Sequence, residues 1–139
     1  LLENFLNSSS AEYIIVCEDD IQIIEKDVNK IINILKHLTL DIIYLGGLQN
    51  PSYSAKRIVK INEKYSLYDC KNRYYAQGAI FYMMSRKGVL NILHKYHNGL
   101  CKYAIDRFYV TEFANQMILY PSLCTHDGTN SSIDKRGGH

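Results

Sequence analysis

Tyr13-Ile14-Ile15-Val16-Cys17-Glu18-Asp19-Asp20-Ile21 is the stretch on which the fold turns. An apolar run of strand length stops abruptly at three acidic residues. Tyr13 to Cys17 reads as a buried β-strand with Cys17 as a buried free thiol, and the carboxylates sit where the strand leaves its sheet. In open α/β sheets, ligands bind just outside the carboxyl ends of strands. Three adjacent negative charges repel one another, and a divalent cation relieves that repulsion. Clustered carboxylate oxygens suit hard cations such as Mg²⁺, Ca²⁺ or Mn²⁺. The stretch is therefore a candidate metal site that receives a phosphorylated ligand. The alternative is an acidic turn in which Asp19 or Asp20 caps the next helix.

Working outward, Leu1, Leu2, Phe5 and Leu6 have helical spacing, closed by Ser8-Ser9-Ser10. From about Lys26 to Leu38, the residues Val28, Ile31, Ile32, Leu35 and Leu38 fall on one face of an amphipathic helix. Asp41-Ile42-Ile43-Tyr44-Leu45 is a second buried strand, stopped by Gly46-Gly47. Strand, helix, strand at this length predicts a βαβ unit with two parallel strands. Residues 48–56 form a polar loop. Arg57 to Asn62 and Tyr65 to Tyr68 alternate, and predict a hairpin through Asn62-Glu63-Lys64. Ala79 to Met84 is apolar again and predicts a strand. Ser85 caps a helix running to about Tyr96, which Asn98-Gly99 ends. Ile105, Phe108, Tyr109 and Phe113 predict one more helix from near Asp106, and Met117 to Tyr120 a last short strand. The tail from Cys124 is polar and reads as loop.

The chain has 139 residues, the size of one domain. It is 47% hydrophobic and 22% charged, enough apolar material for a core. Its 16 basic and 14 acidic residues leave a net charge of +2, too balanced to argue for nucleic acid. No apolar run is long enough to cross a bilayer. Cys17, Cys70, Cys101 and Cys124 are scattered without a C-x-x-C, which speaks against a structural zinc site. The sequons at Asn7 and Asn130 are short enough to arise by chance, so cytoplasmic and secretory locations stay open.

Several segments in order carry a resemblance. The strand ending in Glu18-Asp19-Asp20 comes first, then the strand ending in Leu45-Gly46. Next is Gln77-Gly78-Ala79-Ile80-Phe81-Tyr82-Met83-Met84-Ser85-Arg86-Lys87-Gly88, with Gly78, Tyr82, Ser85 and Gly88 in a Gly-x-x-x-Tyr-x-x-Ser-x-x-Gly pattern. Ile105-Asp106, Pro121-Ser122-Leu123 and Ser132-Ile133 follow. This order resembles glycosyltransferase family 25, the group of lipooligosaccharide and procollagen galactosyltransferases. The resemblance covers nearly the whole chain but not the whole family domain. It implies an α/β domain of GT-A-like fold, a mixed sheet with flanking helices, lacking the N-terminal part that begins the nucleotide-binding half.

The resemblance further implies a UDP-sugar donor, Mn²⁺ or Mg²⁺, and transfer of a hexose, galactose or glucose, to a hydroxyl of a glycan or protein acceptor. Asp20 becomes the main metal ligand. Glu18 is a second ligand or a partner for the nucleoside, and Asp19 a further donor-binding candidate. Asp106 matches the family's Asp at the start of a late helix. It is a candidate base for an inverting transfer, with an N-cap as the alternative. His126 is a candidate last metal ligand, with a surface-loop histidine as the alternative. Gln77 and Gly78 would lie near the sugar or acceptor, against a plain turn. Tyr74, Tyr75 and Tyr82 could stack on sugar rings, although Tyr82 suits strand packing better. Lys56-Arg57 and Lys135-Arg136 could contact diphosphate, or simply be solvated. The rivals are another metal-dependent phosphoryl-transfer enzyme and a non-catalytic glycan- or partner-binding remnant.

Overall fold

The structure is a computed structural model that describes residues 1–47, 50–70, 80–102 and 104–126. In chain order, helix α1 (Leu2–Ser8) precedes strands β1 (Tyr13–Cys17) and β2 (Ile21–Ile23). Helix α2 (Val28–Leu35) and strand β3 (Ile42–Gly46) follow. A 3₁₀ turn at Pro51–Tyr53 leads to the hairpin of β4 (Arg57–Lys60) and β5 (Ser66–Asp69). Then come β6 (Phe81–Ser85), α3 (Arg86–His97), α4 (Ile105–Glu112), β7 (Gln116–Tyr120) and β8 (Cys124–His126).

Six strands form a mixed sheet in the order β1-β6-β3-β7-β5-β4, and β2 and β8 form a separate two-stranded ribbon. Strand β3 pairs in parallel with β7 (Ile42 opposite Gln116), and the remaining pairs of the sheet are antiparallel. The alternation of a strand sorts its side chains between two faces. Ile42, Tyr44, Tyr82, Met84 and Ile118 point to one side, where Phe5 of α1, Val89 and Ile92 of α3, and Phe108 and Tyr109 of α4 cover them. Ile43, Leu45, Phe81, Met83 and Leu119 point to the other, against Ile31 and Leu35 of α2. A central strand covered on both faces should be apolar throughout, and every residue of β3 is buried.

Helix α3 begins as the sequence predicts: the Ser85 side chain accepts a hydrogen bond from Gly88 N–H at 3.0 Å. Gly88 lies flat against the Asp41 carbonyl, where any Cβ would collide with backbone. The predicted hairpin forms, with the Asn62 side chain accepting from the amides of Lys64 and Tyr65. Gly99, at φ 73°, follows the end of α3.

Strands β1 and β3 run parallel, as expected, with β6 between them antiparallel to both. Two expectations are corrected. Strand β1 is the sheet edge, so it is half-exposed rather than buried, and Cys17 at its end is exposed. The tail from Cys124 is not all loop: Cys124–His126 pairs with Ile21–Ile23. All four cysteines are free thiols. No helix among the described residues is long and apolar enough to cross a membrane.

Candidate metal centre

Strands β1, β3 and β7 point their carboxyl ends toward the same rim of the sheet, and the acidic triplet sits there. Glu18 N–H donates to the Ile80 carbonyl at 2.8 Å, which continues the β1–β6 ladder by one residue. Asp19 and Asp20 then make a turn into β2. The segment before β8 returns to the same rim, fixed by Leu123 N–H donating to the Leu45 carbonyl at 2.9 Å and Ile24 N–H donating to the Leu123 carbonyl at 3.0 Å. The ribbon register sets Ile21 opposite His126. That register carries the His126 ring to the acidic turn more than a hundred residues away in sequence.

One atom each of Glu18, Asp20 and His126 lies within 4.8 Å of the others, close enough for a single cation. His126 Nε2 and Asp20 Oδ2 are 3.0 Å apart, with side chains 25% and 15% exposed. Asp20 Oδ1 is buried and has no hydrogen-bond partner among the described residues. A buried carboxylate oxygen left unpaired is costly, and a cation is one partner that removes the cost. Two carboxylates and an imidazole suit Mn²⁺ better than Mg²⁺, which prefers oxygen ligands. The residues present therefore fit a divalent ion.

The electrostatics agree. Partial burial pushes the Glu18 carboxyl above its ordinary range, the charge of Asp20 adds to this, and Asp19 and Asp106 add further; His126 opposes them. Helix α3 runs back from the far end of the sheet, so α4 starts at the metal rim and places Asp106 within electrostatic reach of Glu18. Asp106 is not the N-cap of α4. That position belongs to Ala104, and the Asp106 side chain accepts from its neighbour Arg107 N–H at 2.7 Å.

The cap reading of the triplet also fails, because Asp20 is followed by β2, and the N-cap position of α2 falls at Asp27, whose side chain makes no capping hydrogen bond. His126 is not on a surface loop but on β8. Asp19 is exposed and is not one of the three residues whose side-chain atoms come close enough to share a cation. Tyr82 is buried in the core, its hydroxyl 3.4 Å from that of Tyr109. Gln77, Gly78, Tyr74, Tyr75, Lys135 and Arg136 lie outside the described residues.

Sequence reasoning missed the ribbon that presents His126. The available signal was weak: Ile21-Gln22-Ile23 alternates over only three residues, and Cys124-Thr125-His126 has no apolar alternation. No family model matches the chain, and no curated protein matches it either.

Proposed function

We propose that this chain is the catalytic part of a metal-dependent glycosyltransferase of GT-A-like fold, related to family 25. It transfers a hexose, galactose or glucose, from a UDP-sugar to a hydroxyl of a glycan or protein. The supporting observation is the meeting of Glu18, Asp20 and His126 at the carboxyl rim of the sheet, with one Asp20 oxygen buried and unpartnered. A bound Mn²⁺ would neutralise the diphosphate of the donor as its charge grows on departure. Asp20 and Glu18 would supply the anionic ligands, and His126, carried on β8 opposite Ile21, would be the third.

In the reaction, the bond from the sugar C1 to the diphosphate oxygen breaks and a bond from C1 to the acceptor oxygen forms. The acceptor proton goes to a base, and Asp106 is our candidate because it stands on the same rim. Attack from the face opposite the departing diphosphate makes the transfer inverting.

The test is a calorimetric titration of UDP into wild type and Asp20→Ala, each with and without Mn²⁺. Outer partners of metal ligands are worth about 10–100-fold in metal affinity, so removing a direct ligand should weaken Mn²⁺-dependent UDP binding more than ~100-fold. A wild-type protein that takes up Mn²⁺ yet ignores UDP overturns the proposal.

A further inference from the structure

Pro121-Ser122-Leu123 lies between β7 and β8, on the path that brings His126 to the metal rim. Leu123 is buried and tied at both of its backbone groups. Its N–H donates to the Leu45 carbonyl, and its carbonyl accepts from Ile24 N–H. These two bonds fix where the chain passes, but not which way its side chains turn three residues later.

That direction is settled at Cys124. Opposite residues in an antiparallel pair alternate between bonded and non-bonded. Ile24 N–H bonds to the Leu123 carbonyl, so the next pair, Ile23 opposite Cys124, is a non-bonded one. The N–H and C=O of Cys124 therefore face away from β2. Cys124 is 4% exposed, and buried backbone groups need partners. The Ser122 hydroxyl serves both. It donates to the Cys124 carbonyl at 2.8 Å and accepts from Cys124 N–H at 3.3 Å. One hydroxyl has the single hydrogen and the lone pairs to do both at once. It stands where a third strand of the ribbon would. Residues two apart on a strand share a face. Cys124 turns its Sγ onto Gly46 at the end of β3, so His126 turns to the same side, where its ring meets Asp20.

We propose that Ser122 is a positioning residue: its hydroxyl, by holding the Cys124 backbone, aims the His126 imidazole at the cation shared with Glu18 and Asp20. The assignment rests on the metal-centre reading and is independent of the donor and acceptor. Ser122 is not one of the three ligands, so its effect on the metal should pass through His126.

The experiment is a double-mutant cycle on the full chain, read by Mn²⁺ titration of wild type, Ser122→Ala, His126→Ala and the double variant. Ser122→Thr keeps a hydroxyl, and Ser122→Cys, kept under reductant, is a milder loss should Ser122→Ala not fold; melting curves in chelator confirm folding. Partners that orient metal ligands are worth about 10–100-fold in metal affinity. Ser122 acts one step further out, so Ser122→Ala should weaken Mn²⁺ binding about tenfold, and Ser122→Thr should recover most of the loss. In the His126→Ala background the same change should have almost no effect, because no imidazole is left to aim and coupled residues are non-additive. Pulsed electron paramagnetic resonance gives a second signature. Nitrogen modulation from an imidazole on bound Mn²⁺ should be present in wild type and Ser122→Thr, and reduced in Ser122→Ala toward the level of His126→Ala. Equal losses in both backgrounds, or undiminished nitrogen modulation in Ser122→Ala, overturn the proposal and leave the transferase reading standing. Wild type that takes up Mn²⁺ with the expected coupling yet ignores UDP removes the transferase reading and leaves Ser122 its role. Wild type that takes up no Mn²⁺ overturns both.

Discussion

Asp20 has two oxygens in unequal surroundings, one facing His126 and one buried without a partner among the described residues. Glu25 shows the opposite condition. Its Oε2 accepts from the Tyr65 hydroxyl and from Lys64 Nζ at 3.1 Å, and its Oε1 accepts from Asp27 N–H at 3.0 Å. These donors, the Tyr65 hydroxyl first, hold the Glu25 carboxyl down to about 2. A carboxylate whose folded value is depressed adds stability above its unfolded value and loses it as pH falls toward the folded one. The contribution of Glu25 should therefore be complete above about pH 4.5 and vanish as pH drops to about 2. Melting temperatures measured across that window should fall more steeply for wild type than for Glu25→Gln. Parallel curves would show that the three donors do not favour the charged form. The Asp20, Glu18 and His126 grouping came from the resemblance, whereas the Glu25 cluster left no mark in the sequence. The acidic triplet announces itself by charge density, but Glu25 and Tyr65 are 40 residues apart, and nothing local couples them.

Elements with strong periodicity were legible. The stripe of Val28, Ile31, Ile32 and Leu35 specifies α2, because a helix must bury one face to persist, and Ile31 and Leu35 are buried against the sheet. The β4–β5 hairpin and the Ser85 cap were readable for the same reason, since their determinants are adjacent in sequence. Strand adjacency was not: periodicity says which face is buried but not which strand lies alongside, so β6 between β1 and β3 could not be foreseen. Strand β8 was hidden by its brevity, yet its position depends on a readable residue. Gly46 ends β3 directly beneath it, and a Cβ there would collide with Cys124 Sγ, with Ser122 Oγ at 3.1 Å and Phe81 Cβ at 3.3 Å. Gly46→Ala should therefore displace β8, costing about 1–3 kcal/mol by overpacking, and weaken Mn²⁺ binding by moving His126. Adding Cys124→Ala removes the collision and should recover most of both losses. Undiminished Mn²⁺ affinity in Gly46→Ala, measured by titration, would mean that β8 does not position the ligand.

At the scale of the molecule, the candidate centre joins the early part of the chain to its late part. Glu18 and Asp20 leave the edge strand β1, while His126 arrives on β8, and the two-stranded ribbon holds the segments together outside the main sheet. Such a ribbon is marginal by itself. A cation gripped from both sides binds the folded chain and not the unfolded one, so binding free energy becomes folding free energy. At a concentration one hundred times its dissociation constant, an ion adds about 2.7 kcal/mol. For a domain of this size that is roughly 5–15 °C in melting temperature. Mn²⁺ should raise the melting temperature by this order, Mg²⁺ by less at equal concentration because of the imidazole ligand, and excess chelator should reverse both. The sign for Glu18 follows from its raised carboxyl: its proton is held more tightly folded than unfolded, so ionisation at neutral pH works against the metal-free fold. Glu18→Gln should melt slightly above wild type in chelator, since one of the crowded charges is gone, and should lose most of the Mn²⁺ increment. These opposite shifts in one variant separate a ligand from a solvated surface acid, which would move neither curve. A Mn²⁺ increment identical in wild type and Glu18→Gln would place the ion elsewhere on the molecule.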